Sequence, residues 1–423
     1  MKFQNCQNVG RRFLALGVSI LALLGLMALP ARSQDLVLTI YPVQVMNTFE
    51  NRVCQHVYTN GEFRLAWQSA PLEGPASVRI GDIDNDGVDE VVATTYYVSR
   101  TEYVSSGKGK KQSVVNYYGY RIHVFEPGES PYNGNARWTV DLPDELPRTL
   151  LRDTWIADVD NDGIPGAPDN EIVIMRYQWL HIGRVERTGD TTGSITLELL
   201  KCYAAGLDGL DVGDADNQPG NEIVVEAEQI PWVWKWTGTA WEEFEVDPVP
   251  LDQYGDASPL MLTFVRIRDV DNLGDNEIIA TGTNERLMVW RWNGAKFGYV
   301  ATSSDLKGNM AYGLDCGDLN HDNSDEVVIN VWGLKKLPPR LVTLAYDSGL
   351  YVIQNTFTTD FYNQWDLRVA DLTGDGRAEV IEYNQGNPAG LKIFRFVGAS
   401  LQGGTFELVY SAPGYGTERI EIR

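Results

Sequence analysis

The stretch Gly81-Asp82-Ile83-Asp84-Asn85-Asp86-Gly87-Val88-Asp89-Glu90-Val91-Val92 sets carboxylates at positions one, three and five of a short loop, glycine at six and glutamate at nine. Alternate residues of a tight loop turn their side chains toward one point. A hard cation such as calcium takes about six to eight oxygen ligands of this kind. Gly87 supplies the backbone angle that other residues resist, and Val91-Val92 begin a β-branched run. The unit reads as two strands joined by a turn that an ion closes.

The pattern returns five times. Asp158, Asp160, Asp162 and Gly163 repeat it, with Glu171 displaced by five extra residues. Asp214, Asp216 and Glu222 repeat it with Gln218 at position five, and Asp269, Asp271 and Glu277 with Leu273 there. Asp318, Asn320, Asp322 and Glu326 carry Asn323 in the glycine place, and Asp371, Thr373, Asp375, Gly376 and Glu379 complete the set. Successive first aspartates stand 76, 56, 55, 49 and 53 residues apart. One acidic loop is an ordinary solvated turn, but six copies in phase are a repeat. An EF-hand is excluded: position twelve of the first loop is Ala93 rather than glutamate, and the flanks alternate like strands. Leu273 offers no ligand, so the fourth loop is expected to bind an ion most weakly.

Net charge is −23 over 423 residues. Much of this acid lies in the loops, so the balance is a demand for cations and argues against a nucleic-acid partner. The 12 Trp, 20 Tyr and 13 Phe favour a β-rich fold over disorder. Residues 1–33 read as an export signal: Arg11-Arg12, an apolar run from Phe13 to Leu29, then Ala31-Arg32-Ser33 as a cleavage pattern. The arginine pair also resembles a twin-arginine signal. The mature chain, 34–423, is expected in the periplasm or outside the cell, with no transmembrane segment. Its Cys54, Cys202 and Cys316 are odd in number and scattered, so buried free thiols are expected, with a single pair left open.

Each repeat follows one grammar: strand, acidic loop, strand, then an aromatic-rich hairpin. Val233-Trp234-Lys235-Trp236 with Trp241–Val246 is one such hairpin, turning at Thr237-Gly238. Met288–Trp292 with Phe297–Val300 is another, turning at Asn293-Gly294. Four strands per repeat of this length are the signature of a propeller blade. A further hairpin, Cys54–Tyr58 with Phe63–Trp67, precedes the first loop, and Thr417–Ile422 reads as a first strand with no loop after it. The expected fold is therefore all-β: a seven-bladed β-propeller whose N- and C-terminal strands share one blade.

On its acidic loops, as at Gly81–Val92 and Ala370–Val380, and on their spacing, the chain resembles the FG-GAP and VCBS-type calcium propellers, which include the integrin α-subunit head. The resemblance covers 34–423. It implies calcium in each loop, on one face of the disc. The Phe-Gly and Gly-Ala-Pro motifs of integrin blades are out of register here, at Phe297-Gly298 and Gly166-Ala167-Pro168, and no adhesion domain is inserted. Integrin-like partners are therefore not implied.

Candidate ligand-binding residues gather in three places expected on the opposite face. A long hairpin, Tyr96 to Tyr120, carries Tyr103 and a basic tip of Lys108, Lys110 and Lys111. A second segment, Arg176 to Leu197, carries Trp179, His181 and Arg184, and a third carries Trp332. Aromatic planes flanked by cations suit sugars or peptides. The Trp234, Trp236, Trp290 and Trp292 hairpins read instead as packing between blades. No nucleophile motif, phosphate loop or zinc spacing is present. The expected function is recognition of a protein or glycan. The alternatives are a polysaccharide lyase, for which His181 and Arg184 are the candidate base and cation, and a purely structural surface module.

Overall fold

The computed structural model describes residues 36–422, except 46–47, 107–110, 126–133, 143–145, 148–150, 164–168, 205–206, 208, 228–229, 254–259, 307–309, 333–337, 360–363, 385–389, 399 and 414–419. Residues 1–33, expected to be an export signal, and Gly166-Ala167-Pro168 thus lie outside the described residues. Residues Gln34–Arg423 form one compact unit.

Seven antiparallel sheets follow one another, each with four strands that we number one to four from the axis outward. Blade one is built from Gly74–Gly81, Glu90–Ser106, Lys111–Phe125 and Trp138–Asp141, with Leu146–Pro147 added beside its third strand. Blade two runs Leu151–Ala157, Glu171–Arg176, Trp179–Arg187 and Gly193–Cys202. Blade three is Leu210–Gly213, Glu222–Ala227, Ile230–Trp236 and Trp241–Phe244, and blade four Leu262–Arg268, Glu277–Gly282, Leu287–Trp292 and Phe297–Thr302. Blade five is Met310–Gly317, Glu326–Trp332, Arg340–Asp347 and Leu350–Thr358, and blade six Gln364–Ala370, Glu379–Asn384, Gly390–Val397 and Thr405–Pro413. In blade seven, Ile420–Ile422 pairs with Leu36–Val45, which pairs with Thr48–Thr59 and then Glu62–Gln68. The two ends of the chain therefore complete one sheet, as the sequence implies. The fold is a seven-bladed β-propeller.

Burial explains why the strands read as they do. Strand two of blades two, three and four is buried at all six positions, because a neighbouring blade covers each face. Such strands appear as continuous apolar runs instead of alternation. Strand four of blade two alternates between half-buried and exposed residues along most of its length, as an outer edge should.

Among the described residues, seven apolar clusters hold the disc together, one at each junction between consecutive blades. Trp234 packs with Met175 and Leu180 between blades two and three. Trp290 packs with Val233 and Val246 between blades three and four, where its indole N–H donates to the Asp247 carbonyl at 2.8 Å. Val53 and Trp67 of blade seven meet Val78 and Phe125 of blade one, while Cys54 and Phe63 meet Ile381 and Ile393 of blade six. The ring is thereby closed by apolar contact as well as by the shared sheet. Trp234, Trp290 and Trp292 do pack between blades, whereas Trp236 lines a cavity. Toward the axis the first strands carry ion pairs, Arg79 to Asp153, both buried, at 2.6 Å and the half-buried Arg268 to buried Asp315 at 2.9 Å. Cys54 and Cys316 are buried thiols outside any disulfide, whereas Cys202 is exposed, because it ends an outer strand.

Candidate metal centres

Each acidic loop joins strands one and two of its blade, so all six lie on one face, called lower here. In loop one the Asp82 carboxylate accepts the Asp86 N–H at 2.9 Å and the Gly87 N–H at 2.8 Å. Asp86 accepts the Val88 N–H at 2.9 Å. Glu90, the first residue of strand two, is 1% exposed and accepts the Ile83 N–H at 3.0 Å. One oxygen each from Asp82, Asp84, Asp86 and Glu90 lies within 4.8 Å of the others. Burial pushes the Glu90 carboxyl up to about 8, and repulsion from Asp84, Asp82 and Asp86 adds to it, against the bond from Ile83. Such a donor set fits a divalent ion: four carboxylate oxygens converge on one point, and one of them belongs to a buried glutamate.

The template recurs. Glu171, Glu222, Glu277, Glu326 and Glu379 accept the N–H of Val159, Ala215, Val270, Leu319 and Leu372 at 2.7–3.1 Å. These position-two residues are buried, and each pins its loop to the blade. In loop five Asn323 stands in the glycine place with φ 64°, Asp318 accepts its N–H at 2.8 Å, and Glu326 is pushed up to about 8, chiefly by burial. The Asn320 Oδ1 there is buried without a hydrogen-bond partner, as a neutral donor awaiting an ion would be. In loop four Leu273 is 70% exposed, and its backbone N–H donates to Asp269 and Asp271 at 3.2 and 3.0 Å. Gln218 sits in loop three with its N–H donated to Asp216 at 2.9 Å. Thr373 of loop six lies 3.5 Å from Asp371, and Asp371 accepts the Gly376 N–H at 2.7 Å.

Among the described residues, four loops also contain a cationic side chain from strand three. Arg184 reaches Asp160 at 2.6 Å, Asp162 at 3.0 Å, Asp169 at 3.2 Å and Glu171 at 3.1 Å. Lys235 lies 2.7 Å from both Asp216 and Glu222. Arg291 binds Asp271 and, at 2.7 Å, Glu277. Arg395 binds Glu379 at 2.7 Å and approaches Asp375 at 3.9 Å. Each of these four glutamates is pushed up only to about 7, with burial the main cause.

This placement corrects the sequence reading of the Arg176 to Leu197 segment. Tyr177-Gln178 is a tight turn, and Trp179 to Arg187 is an ordinary third strand running from the upper rim back toward the loops. Trp179 alone lies at that rim. His181 is buried within the blade at 7% exposure, and Arg184 belongs to loop two on the lower face. The base and cation proposed for a lyase therefore do not form an upper-face pair. Beside Arg184 a cavity of about 160 Å³ opens on the lower side, lined by Glu198, Trp236 and Trp241 among others.

A girdle of asparagines, not anticipated from the sequence, links the loops around the disc. Asn85, Asn161, Asn217 and Asn272 hold position four of their loops with φ of 55–59°, a left-handed conformation that asparagine tolerates well. The Oδ1 of each accepts a backbone N–H from the next loop: Asn170, Asn221, Asn276 and Asp325, all at 2.7–2.8 Å. Asn170, Asn221 and Asn276 return an Nδ2 bond to the carbonyl of Asp82, Asp158 and Asp214 at 2.8–2.9 Å. His321 takes over at loop five, with Nδ1 2.7 Å from the Gly376 oxygen. The signal was present as an asparagine at position four of most loops.

On the upper face, blade one projects an arm. Its second strand has 17 residues against six in blades two to four, and pairing continues out to Ser106 opposite Lys111. At about 3.3 Å per residue the excess reaches roughly 35 Å. Tyr103 and Val114 face each other across it, 69% and 55% exposed. Lys108 and Lys110 lie outside the described residues, as does the Lys111 side chain. Trp332 is half-buried at the upper end of strand two of blade five.

No protein-family model matches the chain, and no curated protein matches it. Solved structures do. A putative 6-phosphogluconolactonase from Bacteroides fragilis superposes with a TM-score of 0.55 at 10% identity, covering 93% of this chain and 99% of that one. A periplasmic gluconolactonase from Pseudomonas aeruginosa gives 0.55 at 12% identity, over 92% and 98%. A lectin from Agrocybe aegerita that recognises non-reducing terminal N-acetylglucosamine gives 0.50 at 14%, over 92% and 94%. At these identities the likeness is one of fold. Among the described residues no helix is long and apolar enough to cross a membrane.

Proposed function

We propose that this chain is an exported, calcium-stabilised propeller of the FG-GAP/VCBS type that recognises a protein or glycan partner through its upper face. The arm of blade one carries this reading. A two-stranded ribbon that stands clear of its sheet contributes little to the core, and isolated hairpins are marginally stable. This one nonetheless exposes Val98, Tyr103, Val104 and Val114. Internal contacts stiffen it: the Arg100 guanidinium stacks over the Tyr117 ring at 4.0 Å, and the Tyr117 hydroxyl donates to Glu102 at 3.1 Å. A stiff, partly apolar arm with a basic tip on an acidic disc suits docking, and Trp179 and Trp332 at the same rim extend the surface. Residues 1–33 support export, and the loops are the calcium sites of this reading.

The test replaces residues 98–118 by Asn-Gly, which closes the hairpin on the Tyr97–Gly119 pair. Wild type and shortened protein are immobilised in calcium and exposed to native envelope extract and to a glycan array. A partner retained by wild type and lost from an equally stable shortened protein is the expected result. Identical retention by both would overturn the assignment of the arm.

A further inference from the structure

The seam between blades two and three has two halves, alike in their aromatic walls and different in what fills them. Trp232, Trp234 and Trp236 alternate along strand three of blade three and so share one face. On strand four of blade two the pairing slips by one residue between Leu180–Lys201 and His181–Leu199. That bulge brings Lys201 onto the same face as Glu198 and Thr196. In the upper half the Lys201 Nζ lies 5.1 Å from the Trp232 ring centre, 5.3 Å from that of Trp234 and 3.2 Å from a Glu243 oxygen. Two indoles and one carboxylate there hold a cation. In the lower half the half-buried Trp236 and Trp241 rings stand 5.4 Å apart at 54°, and with Glu198 and Thr196 they wall the cavity of about 160 Å³. Among the described residues no cationic side chain stands over either of these rings, and the exposed Glu198 carboxylate has no ion-pair partner.

We propose that this cavity binds an organic cation, an alkylammonium or guanidinium group, seated between indole and carboxylate as Lys201 is seated in the upper half. The indole face is the best of the aromatic partners for a cation, and the attraction grows as water is excluded. Among the lining residues Asp160, Glu171 and Glu198 outnumber Arg184, so the field favours positive charge. Arg184 does little to oppose a cationic guest. Its Nη2 lies within 3.1 Å of Asp160, Asp162 and Glu171, and its Nη1 is 3.2 Å from Asp169, so its charge is already matched. Glu198 is the carboxylate left for the guest. The volume is about ten times the roughly 10–15 Å³ that one water needs, so the space takes a group of several heavy atoms. The site stands on the lower face, apart from the arm of blade one, and needs no metal in loop two.

Isothermal titration calorimetry of the full chain, in calcium and in chelator, tests this with four probes: choline, its uncharged carbon isostere, argininamide and N-acetylglucosamine. One cation per chain should bind saturably, with choline or argininamide preferred over both neutral probes. Glu198→Gln, at an exposed position, should weaken that binding about tenfold, and Trp236→Leu should weaken it by a similar factor. A blocked lysine-arginine dipeptide that binds more tightly than argininamide would place the cation on a partner protein; weaker binding would make the guest a free small amine. Absence of saturable cation binding would overturn the proposal. So would cation binding unchanged in both variants, with melting temperatures as in wild type. Tighter binding of N-acetylglucosamine, lost in Trp236→Leu, would replace the cation by a sugar. None of these results bears on the arm, whose shortened variant should bind the cation as wild type does.

Discussion

Replacing Glu90 by Gln should change stability in opposite directions with and without calcium. In the metal-free protein the Glu90 carboxyl titrates at about 8 in the folded state against 4.5 for the ordinary side chain. Above pH 4.5 the unfolded chain releases this proton while the folded chain keeps it, so stability falls as pH rises toward 8. At pH 7 that difference amounts to about 3 kcal/mol, taking about 1.4 kcal/mol per pH unit. Glutamine has the same shape, keeps an acceptor for the Ile83 N–H, and carries no charge to desolvate. Metal-free Glu90→Gln should therefore gain up to about 3 kcal/mol. With roughly 2 cal/mol/K per residue of unfolding entropy over Gln34–Arg423, the melting temperature should rise by about 4 °C. In millimolar calcium the sign reverses, because the ion stabilises ionised Glu90 and the variant loses an anionic ligand. Differential scanning calorimetry in chelator and in calcium reads both arms. A variant less stable in chelator would show that Glu90 serves only as a hydrogen-bond acceptor. One more stable in both conditions would mean that loop one holds no ion.

Chelation at pH 7 should lower the melting temperature markedly, with calcium restoring it and magnesium restoring little, since magnesium is smaller and holds its waters more tightly. Sites filled to about tenfold over their dissociation constant contribute about 1.4 kcal/mol each, and a melt unchanged by chelation of metal-loaded protein would reject calcium stabilisation. Metal-free protein should become more stable as pH falls from 8 to 5, because Glu90 and Glu326 titrate at about 8 when folded; calcium should flatten that slope, and parallel slopes in melts across pH would contradict it. Deleting residues 417–423 removes the strand Ile420–Ile422 and bares the edge of Leu36–Val45, so aggregation or lost cooperativity is expected in light scattering and thermal melts; a monomer with unchanged melting would reject its structural role. Asn85→Gly tolerates the φ of 59° but deprives the Asn170 N–H of its acceptor, which should cost about 1–2 kcal/mol; chemical denaturation showing no loss would mean the girdle carries no stability.

The loops, their period and the shared seventh blade were legible in the sequence for one reason: each depends on residues within about ten positions, or on counting repeats of such units. Asp82, Asp84, Asp86 and Glu90 belong to a single turn, and the β-branched run after them reports its own burial. The sequence could not say which way strand three of blade two runs relative to the faces. It therefore grouped Trp179, His181 and Arg184, which the strand distributes from rim to core to loop. A two-residue turn at Tyr177-Gln178 sets Glu171 opposite Arg184, and only the register makes that pair. The asparagine girdle is more remote still, since Asn170 and Asp82 are 88 residues apart and meet only because successive blades stack. Local oxygen chemistry is written in the chain, whereas the cation that answers it, metal or side chain, is chosen by cross-strand register and by the packing of one blade on the next.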